Sequence, residues 1–232
     1  MPKPPSPRAT QADVDRFLTR SKTLARRAES GARLLFAMDA TASRQPTWDR
    51  ACQLQSQMFS AASDLGGLCV QLCYYRGINE LRSTSWLVDD HALLKHMRRV
   101  HCEGGMTQIE RLLNHGLREH REQRIKAIVF IGDACEESPD RLIGKAGELG
   151  VLQLPLFIFQ EGSDVLAERC FRSMCKVSGG AWARFDHSSP EQLANLLGAV
   201  AKYAAGGEHA LLQDGGNCTR DVTLLLEQLK RT

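Results

Sequence analysis

The stretch RLLFAMDATAS, residues 33–43, joins an apolar run to a group of oxygen-bearing side chains. Its first part is short and almost uniformly apolar, which predicts a strand buried on both faces of a parallel sheet. Asp39 follows the run directly, and Thr41 and Ser43 follow at alternate positions. The stretch therefore predicts a buried strand that presents several oxygen atoms at its carboxyl end.

A second stretch, IKAIVFIGD at residues 125–133, repeats this arrangement and ends in Asp133. Strand-like runs alternate with helical periodicity through most of the chain, which predicts an α/β fold. Further strands are predicted at 68–75, after the Arg76-Gly77 turn, at 152–160 and at 181–185, and helices at 48–65, 89–101, from 107, 139–149, 163–176 and 190–204. We expect a doubly wound, mainly parallel central sheet of about six strands, with helices on both faces.

The chain divides into three predicted segments. Residues 1–30 contain a proline-rich tail and a leading basic helix, and residues 31–205 hold the α/β domain. Residues 206–232 form a C-terminal extension with a short helix predicted at 221–230. At 232 residues the chain is long enough to bury a core without disulfides.

The net charge, the N-terminal sequence and the cysteine spacing bear on the class of partner, the compartment and the state of the thiols. The chain has 30 basic and 27 acidic residues, a net charge of +3, which gives no reason to expect nucleic acid or a membrane as partner. The N-terminus has prolines where a signal peptide needs an apolar core, so we expect a cytoplasmic protein. The eight cysteines form no CxxC pair and no zinc-like spacing, so we expect reduced thiols.

The two strand-end aspartates belong to a predicted cation site. In open α/β sheets, ligands bind beyond the carboxyl ends of the strands, where Asp39 and Asp133 both lie. Thr41 and Ser43 add hydroxyls from the same turn, and Thr107 adds one from a glycine-rich loop. Carboxylate and hydroxyl oxygens are the ligands that Mg²⁺ or Mn²⁺ prefers.

The order of elements, together with these side chains, resembles a von Willebrand factor type A (VWA) domain with a metal-ion-dependent adhesion site (MIDAS). The resemblance covers residues 30–205 and is closest to the bacterial intracellular type with its Rossmann-like fold. The family pattern is DxSxS, a later threonine and a later aspartate. Asp39, Ser43, Thr107 and Asp133 match it, whereas Thr41 replaces a serine and keeps the hydroxyl.

The resemblance implies a function without catalysis. In the family, a divalent cation leaves one coordination position for an aspartate or glutamate of a protein partner. The chain would then be a metal-dependent protein-binding module, in the setting of an ATPase- or chaperone-associated complex. The cofactor implied is Mg²⁺ or Mn²⁺.

Two alternatives stay open. One is a scaffold with the same fold that binds its partner without metal. The other is a magnesium-dependent phosphatase-like enzyme, whose DxDx[TV] motif also follows an apolar strand. Residue 41 is threonine where that motif has its second aspartate, which disfavours the enzyme.

Several nearby side chains have simpler interpretations. Thr47 precedes Trp48 as a helix cap would, and Thr107 with Glu110 matches a capping box. Glu136 and Glu137 are expected in a solvated loop. Surface or helix-flank positions are expected for the histidines His91, His96, His101, His115 and His120.

Overall fold

The centre of the computed structural model is a six-stranded sheet in the order β3-β2-β1-β4-β5-β6. The strands are β1 (Ala32–Asp39), β2 (Leu68–Arg76), β3 (Glu80–Ser83), β4 (Ala127–Gly132), β5 (Leu156–Glu161) and β6 (Trp182–Phe185). All neighbours pair in parallel except β3, which is antiparallel to β2. The predicted mainly parallel α/β fold is therefore confirmed.

The structure describes residues 31–186, 190–212 and 219–230, together with residues 10, 15, 16, 19 and 22. The predicted N-terminal tail and leading basic helix lie almost entirely outside the described residues.

Helices cover both faces of the sheet. They are α1 (Gln45–Leu54), α2 (Ser56–Ala61), α3 (Asp90–Met97), α4 (Ile109–Glu122), α5 (Pro139–Val151), α6 (Val165–Ser178), α7 (Pro190–Leu212) and α8 (Arg220–Leu229). The single helix predicted at 48–65 is thus two helices, α1 and α2. A kink interrupts α7 at Gly207, where φ is 70°. Among the described residues, no helix is both long and apolar enough to cross a bilayer.

Alternate side chains of β1 lie on opposite faces of the sheet and contribute to a hydrophobic core on each face. Leu34, Phe36 and Met38 belong to one cluster of buried side chains, and Leu35 and Ala37 belong to the other. All five side chains are fully buried. Because both faces are covered, apolar side chains are favoured along the whole interior of the strand, as the sequence has them.

The last helix protects the edge of the sheet. The side chain of Gln228 in α8 accepts a hydrogen bond from the Trp182 backbone N–H at 3.0 Å and donates one to the Trp182 carbonyl at 2.8 Å. The amide thus pairs with the open edge of β6 as a neighbouring strand would.

One histidine prediction was wrong. His115 is buried at 4% exposure, and its Nε2 lies 2.9 Å from Oε1 of Gln71. The residue lies on the apolar face of α4, three positions after Leu112, so helix packing carries it against β2. Burial lowers the pKa of His115, which favours the neutral ring.

Candidate metal centre

The Asp39 carboxylate is held in place at the carboxyl end of β1. It is 1% exposed, and its Oδ1 accepts a hydrogen bond from the Thr41 backbone N–H at 2.7 Å. This contact is the local turn that aspartate commonly makes two residues ahead. The Tyr75 hydroxyl donates to Oδ2 at 3.1 Å from the adjacent strand β2, where Tyr75 is the register partner of Asp39. The carboxylate is therefore fixed from two sides.

Thr41 and Ser43 lie in the loop directly after Asp39. Thr41 is partly exposed and precedes the short 3-10 turn Ala42–Arg44, in which Ser43 is exposed. The Ser43 hydroxyl oxygen lies 3.4 Å from Nε of Arg44, which donates to it. Both hydroxyls thus follow the buried carboxylate closely in the chain, two and four positions after Asp39.

The interpretation of Thr47 as a helix cap was wrong. Helix α1 begins at Gln45, and Pro46 occupies its first turn, where the ring costs no hydrogen bond. Thr47 therefore lies inside the helix at 3% exposure, and its hydroxyl donates to Glu161 at the end of β5. The residue connects α1 to the sheet instead of starting the helix.

The loop that carries Thr107 is tied to two strand ends. The Glu103 backbone N–H donates to the Ala40 carbonyl at 3.0 Å, and the Met106 N–H donates to the Gly77 carbonyl at 3.2 Å. A Cβ at Gly105 would lie 2.0 Å from the Gly77 oxygen, so this close approach requires glycine. Gly105, the second glycine of the pair before Thr107, thus allows the loop to dock onto the end of β2.

Glu136 and Glu137 hold the Thr107 loop; Glu136 is exposed, as predicted for a solvated loop, whereas Glu137 is half-buried. Glu136 Oε2 accepts from the Thr107 N–H at 2.9 Å, and the Glu136 N–H donates to Thr107 Oγ1 at 3.1 Å. Glu137 accepts from the N–H groups of Ile109 at 2.6 Å and of Glu110 at 2.8 Å. The predicted capping box is not formed, because Glu137 takes its place at the start of α4.

Asp133 forms an ion pair with Arg44, a contact that was not predicted from the sequence. Its Oδ2 lies 3.1 Å from Nη2 of Arg44, and the side chain of Asp133 is 27% exposed. The Nη1 of Arg44 also contacts the carboxylate of Glu161. Two signals were present in the sequence: Arg44 directly follows the Asp39-x-Thr41-x-Ser43 pattern, and Glu161 ends a third apolar strand.

The electrostatics of the site favour an added cation. Burial raises the pKa of Asp39 above its ordinary value of 3.8, and the charge of Asp133 raises this pKa further. The hydrogen bonds from Thr41 and Tyr75 act in the opposite direction. Burial, and next the charge of Asp39, also raise the pKa of Tyr75, which therefore stays a hydrogen-bond donor. A positive charge beside Asp39 and Asp133 would offset both the burial and the repulsion.

The oxygen atoms of the predicted ligands are of the chemical types that a hard divalent cation binds. The predicted ligands Asp39, Thr41, Ser43, Thr107 and Asp133 offer only carboxylate and hydroxyl oxygens, on loops that hydrogen bonds connect. Among the described residues, no three His, Cys, Asp or Glu side chains form a metal-binding cluster. A metal here would rely on the hydroxyls and on water beside the two carboxylates.

A cavity of about 660 Å³ adjoins Asp133. Charged groups of both signs line it, among them Arg44, Glu161, Asp164 and Arg184. It lies beyond the carboxyl ends of β4, β5 and β6, which is where ligands of open α/β sheets bind.

Comparison with known proteins adds structural relatives only. No known family model and no curated protein matches the sequence. An aerotolerance-related membrane protein from Bacteroides fragilis is similar in structure, with a TM-score of 0.55 and 17% identity over 72% of this chain and 98% of that chain.

Two further solved structures carry descriptions that name the fold or the site. The VWA domain of SpRpn10 has a TM-score of 0.54 and 11% identity over 69% of this chain and 94% of that chain. Proximal thread matrix protein 1 from the mussel byssus, with a zinc-occupied MIDAS motif, has a TM-score of 0.54 and 12% identity over 73% of this chain and 45% of that chain. Together with the sheet order and the helices on both faces, these likenesses show that the chain has the fold of a VWA domain.

Proposed function

We propose that this chain is a non-enzymatic protein-binding module that holds Mg²⁺ or Mn²⁺ at Asp39, Thr41, Ser43, Thr107 and Asp133. One observation carries the proposal. The sheet order changes direction between β1 and β4, and both strands deliver an aspartate at that point. In open α/β sheets this switch point is where ligands bind. The zinc-occupied MIDAS motif of the mussel protein supports a cation in this fold.

Each residue has a distinct part in this proposal. The buried Asp39 and the partly exposed Asp133 supply negative charge, and the hydroxyls of Thr41, Ser43 and Thr107 supply neutral oxygens. A bound cation would supply positive charge and a coordination position that accepts a carboxylate of the partner. Glu136 and Glu137 would act indirectly, since they orient the Thr107 loop.

Exposed apolar side chains around the site support a protein partner. Ile78 is 74% exposed in the β2–β3 turn, and Met106 is 56% exposed directly before Thr107. Leu166, at the start of α6, is 74% exposed. A partner that brings an acidic residue to the cation could bury these side chains in the same contact.

The proposal keeps the finer predictions about setting. We place the protein in the cytoplasm, in an ATPase- or chaperone-associated complex, without a nucleic acid or a membrane as partner.

A Mn²⁺ titration tests the cation site. We would follow water-proton relaxation on the wild type, Asp39→Asn and Asp133→Asn, with circular dichroism to confirm folding. Asp64→Asn is the control, because Asp64 lies in the turn before β2, at the opposite end of the strands. We expect enhanced relaxation in the wild type and the control only. Acetate, as a carboxylate probe, should then reduce the enhancement by replacing metal-bound water.

Equal Mn²⁺ binding by the wild type and Asp133→Asn would refute the site. Binding without any effect of acetate would refute the proposed contact with a partner carboxylate.

A second candidate is the metal-free scaffold, and the position of Arg44 favours it. The guanidinium already pairs with Asp133 and Glu161 and offsets part of their negative charge. In this case the module binds its partner through helix faces or the two terminal extensions, and binding persists with chelator present. If neither the wild type nor Arg44→Gln binds Mn²⁺, the result favours the metal-free scaffold over the metal-dependent module.

A further inference from the structure

Two cysteine thiols lie in contact beside the candidate site. Cys135 follows Asp133 by two positions in the loop after β4, and Cys170 lies in the second turn of α6. Their Sγ atoms are 3.6 Å apart. A disulfide bond is about 2.0 Å long, so the two sulfurs need to approach by roughly 1.5 Å to form one.

The two thiols differ in their access to solvent. Cys135 is partly exposed, whereas Cys170 is buried at 3% exposure. A dissolved reagent therefore reaches Cys135 first. Cys170 is placed to react second, since it contacts Cys135 on its buried side. Cys175, on the same helix, is 1% exposed and offers a matched comparison for Cys170.

We propose that Cys135 and Cys170 form a reversible intramolecular disulfide when the protein meets a small disulfide such as oxidised glutathione. Cys135 loses its proton, and its sulfur attacks the small disulfide, which releases one thiol and leaves a mixed disulfide. Cys170 then loses its proton and attacks the Cys135 sulfur, which releases the second thiol. The protein gives up two protons and two electrons, and the small disulfide takes them up.

The bond would act on the loop that holds Thr107. Cys135 directly precedes Glu136 and Glu137, which bind the backbone N–H groups of Thr107, Ile109 and Glu110. Drawing Cys135 toward α6 pulls this segment away from the start of α4. Oxidation should therefore weaken the contacts of the Thr107 loop.

Peptide mapping of the full chain tests the bond directly. The reduced protein is incubated with oxidised glutathione, free thiols are alkylated, and trypsin digestion is followed by mass spectrometry. Trypsin releases Cys135 in AIVFIGDACEESPDR, Cys170 in CFR and Cys175 in SMCK, so each thiol is identified separately. We expect the peptides of Cys135 and Cys170 to be linked, and dithiothreitol to release them.

Three variants separate the steps. Cys170→Ser should stop at a glutathione adduct on Cys135, and Cys135→Ser should leave Cys170 unmodified. Cys175→Ser should still form the bond. Circular dichroism confirms that each variant is folded.

Free thiols at both positions after treatment, a glutathione adduct that persists on Cys135 of the wild type, or pairing of Cys135 with another cysteine would each overturn the proposal. The mapping uses no metal, so its outcome is independent of the proposed cation site. Hydrogen exchange at the amides of residues 107–110 tests the effect on the loop. Unchanged exchange after the bond has formed would overturn that effect.

Discussion

The guanidinium of Arg44 lies between the carboxylates of Asp133 and Glu161, with Nη2 3.1 Å from Oδ2 of Asp133. The Arg44 side chain is 14% exposed, so the pair is only partly screened by solvent. The positive charge of Arg44 thus offsets part of the negative charge that the proposed metal ion needs for binding. Arg44 and a divalent cation should compete for Asp133.

Replacing Arg44 by Gln should strengthen Mn²⁺ binding. An ion pair of about 1 kcal/mol no longer competes for Asp133, which corresponds to a gain in affinity of about fivefold. Titration calorimetry on the wild type and Arg44→Gln measures the change. Arg50→Gln is the control, since Arg50 also belongs to the β1–α1 region but lies inside α1. Affinity that is unchanged or lower in Arg44→Gln would contradict the competition.

Asp39→Asn should stabilise the protein in the presence of chelator. Burial raises the pKa of Asp39, so the folded state binds this proton more tightly than the unfolded state does. The wild type therefore loses stability as the pH rises from 3.8 through the raised pKa, and Asn removes this loss. The gain at neutral pH is about 1.4 kcal/mol for each unit by which the pKa is raised.

Urea unfolding of the wild type and Asp39→Asn across a pH series measures this effect. The difference in the free energy of unfolding should be smallest at acidic pH and grow toward neutral pH. A difference that does not change with pH would show that the charge of Asp39 carries no such cost.

Glu137→Ala should destabilise the protein by about 1–2 kcal/mol, because two backbone N–H groups at the start of α4 lose a charged acceptor. Urea unfolding measures the loss. Glu122→Ala is a control at the other end of the same helix, where a carboxylate faces the negative end of the helix dipole and its removal costs little. Equal losses in both variants would contradict the role of Glu137.

Thr47→Val should cost about 1 kcal/mol, since the variant keeps the shape of the side chain but loses the hydrogen bond to Glu161. Thr47→Ser should recover most of that stability. Thermal unfolding of the three proteins gives the comparison. If Val and Ser behave alike, the hydroxyl has no such role.

Much of the fold could be predicted from local patterns. The run RLLFAM alternates between two cores, so its uniform apolarity correctly predicted a strand covered on both faces. The two strand-end aspartates and the parallel sheet followed from the same kind of pattern. The boundary between α1 and α2 could not be found, because apolar periodicity continues across it.

Contacts between segments that are far apart in the sequence could not be predicted from local sequence patterns. The capping pattern at Thr107 pointed to Glu110, whereas the observed acceptor is Glu137, which lies 28 positions from Ile109. His115 was assigned to the surface because a lone histidine gives no sign of its partner Gln71 on another element. In both cases the partner is decided by which loop or strand lies next to α4.

Apart from the division between α1 and α2, the sequence by itself determined the type and order of the strands and helices of the sheet domain, since these depend on apolar periodicity and turn residues that act over a few positions. It also determined that β1 and the strand before Asp133 end in carboxylates. Only the tertiary structure decided that Arg44 bridges Asp133 and Glu161, 117 positions away, and that Cys135 meets Cys170. The physical reason is that the order of strands in the sheet chooses which loops meet, and that order depends on the packing of the whole chain.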